Sequence, residues 1–481
     1  MGLLRGSLPV LGVVCSPMSP DRGRDTIAWA EGTPSILRNG KPVNNDLSRQ
    51  GLAPGAFAWA TASAALKPVA WSMAVRPSRY VAMPSIAYRM ARIAAGDGVA
   101  TVSAHSLNEY DVAGGMALIA AANGVVLDAS GRDVVLAGNS SARVSGLFAG
   151  APEAARQLSK FTWAQLEQEP RREPRVVLGF PRKKSSSLER AQGCLLGQVI
   201  GDSLGSRVEF KNASEIQKLF PDGVRDLADG GPYHTIAGQP TDDSEMALTL
   251  ARTIVRQRGF ERDRVLEAYR EWLQTRPVDV GETTERGLLG LHTTESESNG
   301  SLMRVAPIGV WAADDPARAA ATARADSALT HPNPACVESC AAFCAAIAVG
   351  VAGASREEMA EAALAHCTGA AREAIKRNAL PADFAKGWVI TTLQNAFYRL
   401  SGNQTLEESL VATVGCGGDT DTNAAVAGAL LGAFHGRDAF PSRWVYAVLA
   451  CRPIAEAGAP RPRPMAYWPD DVLEIAEALL G

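Results

Sequence analysis

The chain lacks a surplus of either charge, a dense set of cysteines and a long unbroken apolar run. It carries 48 Lys and Arg against 51 Asp and Glu in 481 residues, a formal net charge of -3, and so lacks the positive field that draws proteins to nucleic acids. Eight cysteines over this length are too sparse for a disulfide framework and indicate reduced thiols. With 46% hydrophobic and 21% charged residues, the composition excludes a disordered, collagen-like or membrane-embedded chain. We expect a cytoplasmic protein with neither nucleic acid nor membrane as a partner.

Two local features could have contradicted this expectation. The most apolar stretch, residues 341–354, is shorter than the ~20 residues that cross a bilayer, so we predict a buried helix there. Cys336, Cys340 and Cys344 are spaced four apart and share one helical face. A metal or redox role competes with packing for these thiols, and their alanine-rich surroundings favour packing.

Composition divides the chain into three parts. Residues 1–160 mix helical stretches with short β-rich runs at 10–14, 70–75 and 124–127, which predicts an α/β module. Residues 161–187 contain prolines and a run of basic residues and serines, which predicts a solvated linker. Residues 188–481 show apolar positions at helical spacing and few convincing strands, which predicts an all-α domain.

Two acidic motifs stand directly before apolar helix patterns in the third part. They are PTDDSE at residues 240–245 and GGDTDTN at residues 417–423. Helix capping alone would explain either motif, because Asp, Thr and Ser are common caps. Two carboxylates beside hydroxyls repel one another, however, and a divalent cation relieves this repulsion. Because the same chemistry occurs twice, we predict that the two motifs meet at a metal centre.

Two glycine-containing segments accompany these motifs. Glycines at 193, 197, 201 and 205 repeat every fourth residue, which predicts a helix with a smooth face for close packing, leading into a turn with Asp202 and Glu209. Asn299, Gly300 and Ser301 form a polar turn before an apolar segment. The second segment suits a substrate loop, although an ordinary helix-start turn has the same composition.

The segments GCLLGQVIGDSLGSRVEF, PTDDSEMAL, NGSLMRVAPIG, THPNP and GCGGDTDTNAAVAGALLGA resemble the ADP-ribosylglycohydrolase family in order and approximate spacing. The resemblance covers residues 188–481. It implies an all-α fold that holds two Mg²⁺ or Mn²⁺ ions between the acidic motifs. By matching position, the implied metal ligands are Thr241, Asp242, Asp243, Asp419, Asp421 and Thr422, with Asp421 bridging the two ions.

The resemblance also implies further site residues. Glu209 matches a glutamate that orients substrate and water, and it joins Asp242 and Asp243 as an expected catalytic residue. The substrate-binding residues that we expect are Asn299, Gly300, Ser301, Gly417 and Gly418. Two departures from the family pattern are Ser244, where many members have Thr, and Asn333, which is often His and is expected to alter the pocket rim.

The expected activity is metal-dependent hydrolysis of the glycosidic bond between ADP-ribose and a protein side chain or small acceptor. Such a reaction passes through an oxocarbenium-like state, and metal ions and carboxylates can position and activate the attacking water. The expected partners are therefore an ADP-ribosylated protein or an ADP-ribose-containing small molecule. An alternative is a non-catalytic ADP-ribose-binding protein.

The N-terminal part resembles the inositol monophosphatase family in the segment EYDVAGGMALIAAANGVVLD and in shorter segments before it. The resemblance implies that Asp111 is a vestigial phosphatase metal ligand at a helix start, and its spacing alone suggests an N-cap. Tyr110 replaces the usual Trp, and the family's upstream carboxylate motifs have no counterpart. We therefore expect a partial module without robust phosphatase activity. The alternative is a bifunctional phosphatase and glycohydrolase acting on a phosphorylated ADP-ribose derivative, whose natural chain extends upstream of Met1.

Overall fold

The computed structural model divides into two compact units. It describes every residue except 18, 20, 139–141, 176–185, 292 and 385–386. Unit 1 comprises Met1–Pro174 and Glu456–Gly458, and unit 2 comprises Arg175–Ala455 and Ala459–Gly481. Unit 1 is an α/β module, and none of the described residues of unit 2 lies in a strand. The predicted fold class is confirmed.

The described residues of unit 1 form two five-stranded sheets and one two-stranded pair. Its strands are β1 (Gly2–Arg5), β2 (Leu8–Ser16), β3 (Asp25–Ala30), β4 (Ile36–Arg38), β5 (Lys41–Val43), β6 (Phe57–Ala60), β7 (Arg79–Ala82), β8 (Ala100–Ser103), β9 (Leu107–Asn108), β10 (Val125–Leu127), β11 (Arg143–Val144) and β12 (Leu147–Gly150). Its helices are α1 (Pro68–Val75), α2 (Ile86–Ala94), α3 (Glu109–Ala121), α4 (Pro152–Ser159) and α5 (Gln165–Gln168).

The sheets of unit 1 differ in strand direction. The first is an antiparallel meander in the order β1-β2-β3-β4-β5, and the second has the order β10-β12-β8-β6-β7, with β6 parallel to both β7 and β8. Strands β9 and β11 form the separate antiparallel pair. Helix α3 packs against the first sheet so closely that a Cβ on Gly12 of β2 would lie 2.1 Å from the carbonyl oxygen of Gly114.

Two sequence interpretations in this part of the chain were wrong. Residues 70–75 form helix α1 and not a strand, because Pro68 starts the helix and the Glu169 carboxylate accepts hydrogen bonds from the N–H groups of Val69 and Ala70. Residues 161–174 are not a solvated tether, since Trp163 packs on Trp71 with ring centroids 4.9 Å apart. Residues 176–185 of the predicted linker lie outside the described residues.

Asp111 takes a different place from the one that its spacing suggested. Asn108 is the N-cap of α3, and Asp111 is the third helical residue. The Asp111 carboxylate accepts hydrogen bonds from the backbone N–H of Asn108 at 3.3 Å and from its side-chain amide at 3.2 Å. The N-cap interpretation was therefore wrong, and this carboxylate completes a capping box.

Unit 2 consists of helices joined by loops. They are α6 (Ser186–Gly205), α7 (Ala213–Leu219), α8 (Asp242–Gln257), α9 (Arg262–Gln274), α10 (Glu282–Leu288), α11 (Ala306–Trp311), α12 (Pro316–Ser327), α13 (Pro334–Ala352), α14 (Arg356–Ala365), α15 (Gly369–Arg377), α16 (Val389–Ser401), α17 (Leu406–Val414), α18 (Thr420–His435), α19 (Ser442–Leu449) and α20 (Val472–Leu479). The 3₁₀ turns among the described residues of both units are Leu47–Arg49, Ala62–Leu66, Leu302–Arg304, Arg437–Ala439, Ala455–Ala457 and Met465–Tyr467.

Helix α13 is the apolar helix at the centre of unit 2. Its 19 residues exceed the length that we expected, and by length and composition alone it could cross a membrane. However, 78% of its most apolar window is buried inside the protein, as in a core helix. The thiols of Cys336 and Cys344 donate to the carbonyl oxygens of Ser298 and Val305, and burial raises the pKa of Cys340 to about 11. These thiols are packed among core residues, as the alanine-rich surroundings indicated.

Candidate metal centre

Helices α6 and α18 run antiparallel with almost no space between them. A Cβ on Gly201 would lie 2.0 Å from the carbonyl oxygen of Ala424, and one on Gly193 would lie 2.4 Å from that of Gly432. Only glycine permits this approach, because any side chain would overlap the facing backbone. The antiparallel direction places the C-terminal end of α6 beside the N-terminal end of α18. Sequence positions that are about 200 residues apart thus meet at one end of the helix pair.

The start of α8 is fastened to α6 through Asp202. This buried carboxylate accepts hydrogen bonds from the Thr241 hydroxyl at 2.9 Å, the Thr241 N–H at 3.1 Å and the Ser244 N–H at 3.0 Å. The bonds satisfy donors that are otherwise unpaired at a helix N-terminus. The sequence predicted Asp202 in a turn after the helix. This prediction was wrong, because Asp202 lies within α6. It holds Asp242 and Asp243 beside the end of α6.

A second buried group fixes α8 from the other side. The Arg463 guanidinium donates two hydrogen bonds to the Glu245 carboxylate, at 2.7 and 2.6 Å, and the Trp272 indole donates a third at 2.7 Å. Glu245 is fully buried, so these three bonds offset the loss of its hydration. Glu245 thereby ties the first turn of α8 to Trp272 and Arg463.

Three carboxylates converge where these elements meet. Oxygen atoms of Glu209, Asp419 and Asp421 all lie within 4.8 Å of one another. The side-chain amide of Asn299 donates to Asp419 at 2.6 Å, and the N–H of Thr422 donates to Asp421 at 2.9 Å. The cluster forms part of the wall of a cavity of about 470 Å³.

The electrostatics of the cavity disfavour so many charges in the absence of a cation. Burial, together with the neighbouring carboxylates, raises the pKa of Glu209 to about 7. Burial is also the main reason that the pKa values of Asp242, Asp243 and Asp421 lie well above their usual range, and repulsion from nearby carboxylates adds to it. A bound divalent cation would reverse these shifts by supplying the missing positive charge.

The donor set fits a hard divalent cation. Asp243 Oδ1 and Glu209 Oε2 are buried and have no hydrogen-bond partner among the described residues. An unsatisfied buried carboxylate oxygen is unfavourable, and metal coordination is one of the few ways to satisfy it. The surrounding donors are carboxylate and hydroxyl oxygens, which suit Mg²⁺ or Mn²⁺ better than softer metals.

Most of the predicted site residues lie on the cavity wall, and four do not. Those on the wall are Glu209, Asp242, Asp243, Asn299, Gly300, Asp419, Asp421 and Thr422. Thr241 lies behind the wall, where its hydroxyl bonds to Asp202 and to Asp243. Ser301 is fully buried and accepts a hydrogen bond from Ser327.

Gly417 and Gly418, which we expect to bind substrate, do not line the cavity. They have φ values of 75° and 77°, and Gly418 donates its N–H to the carbonyl of Lys211 at 2.8 Å. A Cβ on Gly417 would lie 2.6 Å from that same carbonyl oxygen. The two glycines thus let the loop before Asp419 pack against the segment after Glu209, and they shape the site without lining it.

The two departures from the family pattern also lie outside the cavity wall. Asn333 caps α13 by accepting from the N–H of Ala335, and its side-chain amide donates to the carbonyl of Thr294. It is not among the residues that line the cavity. The Ser244 hydroxyl is buried without a hydrogen-bond partner among the described residues.

The structure adds wall residues that the motifs did not reveal. Asp279 comes from the segment between α9 and α10, Glu282 is the first residue of α10, and Phe210 directly follows Glu209. Asp279 is the neighbour whose charge contributes most to the raised pKa of Asp242. An acidic residue shortly before a helix was the only signal in the sequence, and many surface turns share it.

Comparison with known proteins agrees with this geometry. The ADP-ribosylglycohydrolase family model matches residues 183–479, and the inositol monophosphatase family model matches residues 1–167. The ADP-ribosyl-[dinitrogen reductase] glycohydrolase of Rhodospirillum rubrum is 30% identical over 275 residues, which are 53% of this chain and 89% of that protein. An ADP-ribosylarginine hydrolase of Pseudomonas putida (strain GB-1) is 27% identical over 323 residues, 61% of this chain and 85% of that protein.

A solved structure named as an ADP-ribosylglycohydrolase-related protein complex is also similar. It has 27% sequence identity and a TM-score of 0.51, and the match covers 61% of this chain and 98% of that one. The family match spans more than half of the chain and includes all the cavity residues. The chain belongs to the ADP-ribosylglycohydrolase family.

Proposed function

We propose that the chain is a divalent-metal-dependent hydrolase that cleaves the glycosidic bond between ADP-ribose and a protein side chain or small acceptor. The observation that carries this proposal is the convergence of buried carboxylates, two of them with unpartnered oxygens, on one cavity. A protein that only bound ADP-ribose would not need these mutually repelling groups. The names of the curated relatives support the same reaction class.

The residues that would hold the metal ions come from the starts of α8 and α18. They are Thr241, Asp242, Asp243, Asp419, Asp421 and Thr422. Two bound Mg²⁺ or Mn²⁺ ions would supply positive charge for the ribose hydroxyls and for the attacking water. The Glu209 carboxylate stands beside Asp419 and Asp421 with one oxygen unpartnered, so it can orient that water and accept its proton.

We further propose that the acceptor is an arginine side chain. The guanidinium group is cationic and planar, and the cavity wall offers Asp279 and Glu282 in addition to the metal-binding carboxylates. A relative from Pseudomonas putida carries the name ADP-ribosylarginine hydrolase. A serine acceptor carries no charge with which Asp279 could pair.

The test uses Asp419→Asn and Asp421→Asn. We expect each variant to lose metal-dependent release of ADP-ribose from arginine-linked peptides, with serine-linked peptides as the comparison substrate. Asp263→Asn is the matched control, because the Asp263 side chain is 93% exposed on α9. Titration calorimetry with Mn²⁺ checks metal binding directly. Wild-type rates in both site variants, or undiminished release in EDTA, would contradict the proposal.

For the N-terminal unit we propose that it has no metal-dependent phosphatase activity of its own. Among the described residues of unit 1, no three His, Cys, Asp or Glu side chains lie close enough together to hold a metal ion. The carboxylate of Asp111 is already engaged in the capping box of α3. Mg²⁺-dependent hydrolysis of inositol monophosphate by the full chain, abolished by Asp111→Asn, would refute this.

A further inference from the structure

Phe210 is an exposed aromatic residue at the edge of the carboxylate cluster. Its side chain is 72% exposed, although Val208 and Glu209 immediately before it are buried. It also lines the cavity that contains Asp419 and Asp421. An exposed phenyl ring gains little from the hydrophobic core, so packing does not account for its presence here.

The backbone of Phe210 adds to this disadvantage. Its φ is 66°, in the left-handed region that bulky residues rarely adopt. The conformation is imposed from outside, because the Phe210 N–H donates to the carbonyl of Gly418 at 3.0 Å and the Gly418 N–H donates to the carbonyl of Lys211 at 2.8 Å. Glycine would adopt the same conformation without strain. Strained residues with no packing role cluster at ligand-binding sites.

The position of the ring selects the part of the substrate that it can reach. Phe210 directly follows Glu209 and lines the same cavity as the carboxylate cluster. If the scissile ribose carbon lies at that cluster, the acceptor is adjacent to it. The adenine lies farther away, beyond a diphosphate and a second ribose. The ring is thus placed to meet the acceptor.

We propose that Phe210 is a specificity-determining residue that stacks on the guanidinium group of the acceptor arginine. The assignment rests on the proposed function. Guanidinium groups stack on aromatic faces through electrostatic attraction to the ring and through dispersion. Tyr233 steadies the ring from one side, with centroids 6.4 Å apart and an interplanar angle of 70°. Asp279 and Glu282 on the same wall provide the charge, and Phe210 provides the planar surface.

The test separates acceptor recognition from ADP-ribose recognition. We expect Phe210→Ala to raise the KM for an ADP-ribosylated arginine peptide by about 2- to 30-fold, the range of a lost cation–π contact. We expect the inhibition constant of free ADP-ribose, which has no acceptor, to stay unchanged. Phe210→Tyr keeps the aromatic face and should retain wild-type values. Leu219→Ala is the matched control, since it truncates another exposed hydrophobic residue, 58% exposed, on α7.

A second variant addresses folding. Phe210→Gly removes the ring and the backbone strain together, so we expect its thermal unfolding midpoint to rise by about 2–4 °C while its KM rises as in the alanine variant. Equal effects on ADP-ribose inhibition and on the peptide KM, or no effect on either, would overturn the assignment while leaving the proposed function intact. Absence of ADP-ribose release by the wild-type protein would refute both.

Discussion

Replacing Gly201 by alanine tests the contact that assembles the metal centre. Alanine is favoured over glycine in a helix interior by about 1 kcal/mol, so a loosely packed α6 would be stabilised by the change. Here the new Cβ would lie 2.0 Å from the carbonyl oxygen of Ala424 and 2.7 Å from the nitrogen of Ala425. Both atoms belong to the backbone of α18 and cannot rotate away. The sign of the stability change therefore distinguishes close packing from loose packing.

The magnitude follows from the distance that must be gained. Ordinary contact of a Cβ with a heavy atom begins near 3.4 Å, so the helices must separate locally by about 1.4 Å, the difference from 2.0 Å. Overpacking of this kind costs about 1–3 kcal/mol. Because backbone opposes backbone, we expect the upper end of that range, which leaves a net loss of about 2 kcal/mol after the helix-propensity gain.

The same displacement would separate Glu209 from Asp421. Glu209 follows the C-terminal end of α6, and Asp421 lies in the first turn of α18. Because these two helices move apart, we expect Mn²⁺ affinity to fall by about 10- to 100-fold. Thermal unfolding with and without Mn²⁺, together with titration calorimetry, measures both effects. Gly259→Ala is the matched control, because its nearest neighbour would be Trp311 at 3.9 Å. A Gly201→Ala protein that unfolds at or above the wild-type temperature would refute the packing argument.

Three further predictions concern buried charges. Burial raises the pKa of Glu209 from its usual 4.5 to about 7, so the folded metal-free protein binds more protons than the unfolded chain between these pH values. The free energy of unfolding should therefore fall as pH rises from about 4.5 to about 7. It should recover at pH 8 when Mg²⁺ is added. A flat or rising unfolding midpoint in EDTA would contradict this. Arg463→Met should lower the free energy of unfolding, measured by denaturant titration, by about 3–5 kcal/mol, because it leaves the Glu245 carboxylate buried without its cation. The control Arg262→Met, at a side chain that is 59% exposed, should change this free energy little. Asp202→Asn should weaken Mn²⁺ binding, measured by calorimetry, by about 10- to 100-fold because it loosens the start of α8. Unchanged affinity would show that this carboxylate does not position the site.

The sequence predicted the features of unit 2 that depend on local chemistry. Glycines at every fourth position anticipated the smooth face of α6, and the acidic motifs anticipated where α8 and α18 begin. These signals are readable because the residues that form each feature are neighbours in the chain. The wall residues Asp279, before α10, and Glu282, at the start of α10, gave no distinctive signal, because only the tertiary fold brings them to the cavity.

The differences between sequence prediction and structure have physical reasons as well. Gly417 and Gly418 stand next to Asp419 and do not line the cavity, and their positive φ values serve the packing of the loop. Residues 70–75 are apolar and too short to distinguish strand from helix by periodicity, and a carboxylate from Glu169, about 100 positions away, favours the helix. Asp111 was placed at the cap although Asn108 occupies it, since both positions of a capping box accept polar residues.

The distribution of thiols makes the chain suitable for selective chemical labelling. All eight cysteines are free; Cys15 on β2 is exposed, Cys416 is half-buried, and the others are buried. Since alkylating reagents attack exposed thiolates, and burial raises the pKa of Cys340 and Cys367 to about 11, a brief maleimide treatment should modify Cys15 first. A fluorophore at that position would label unit 1 without an engineered cysteine.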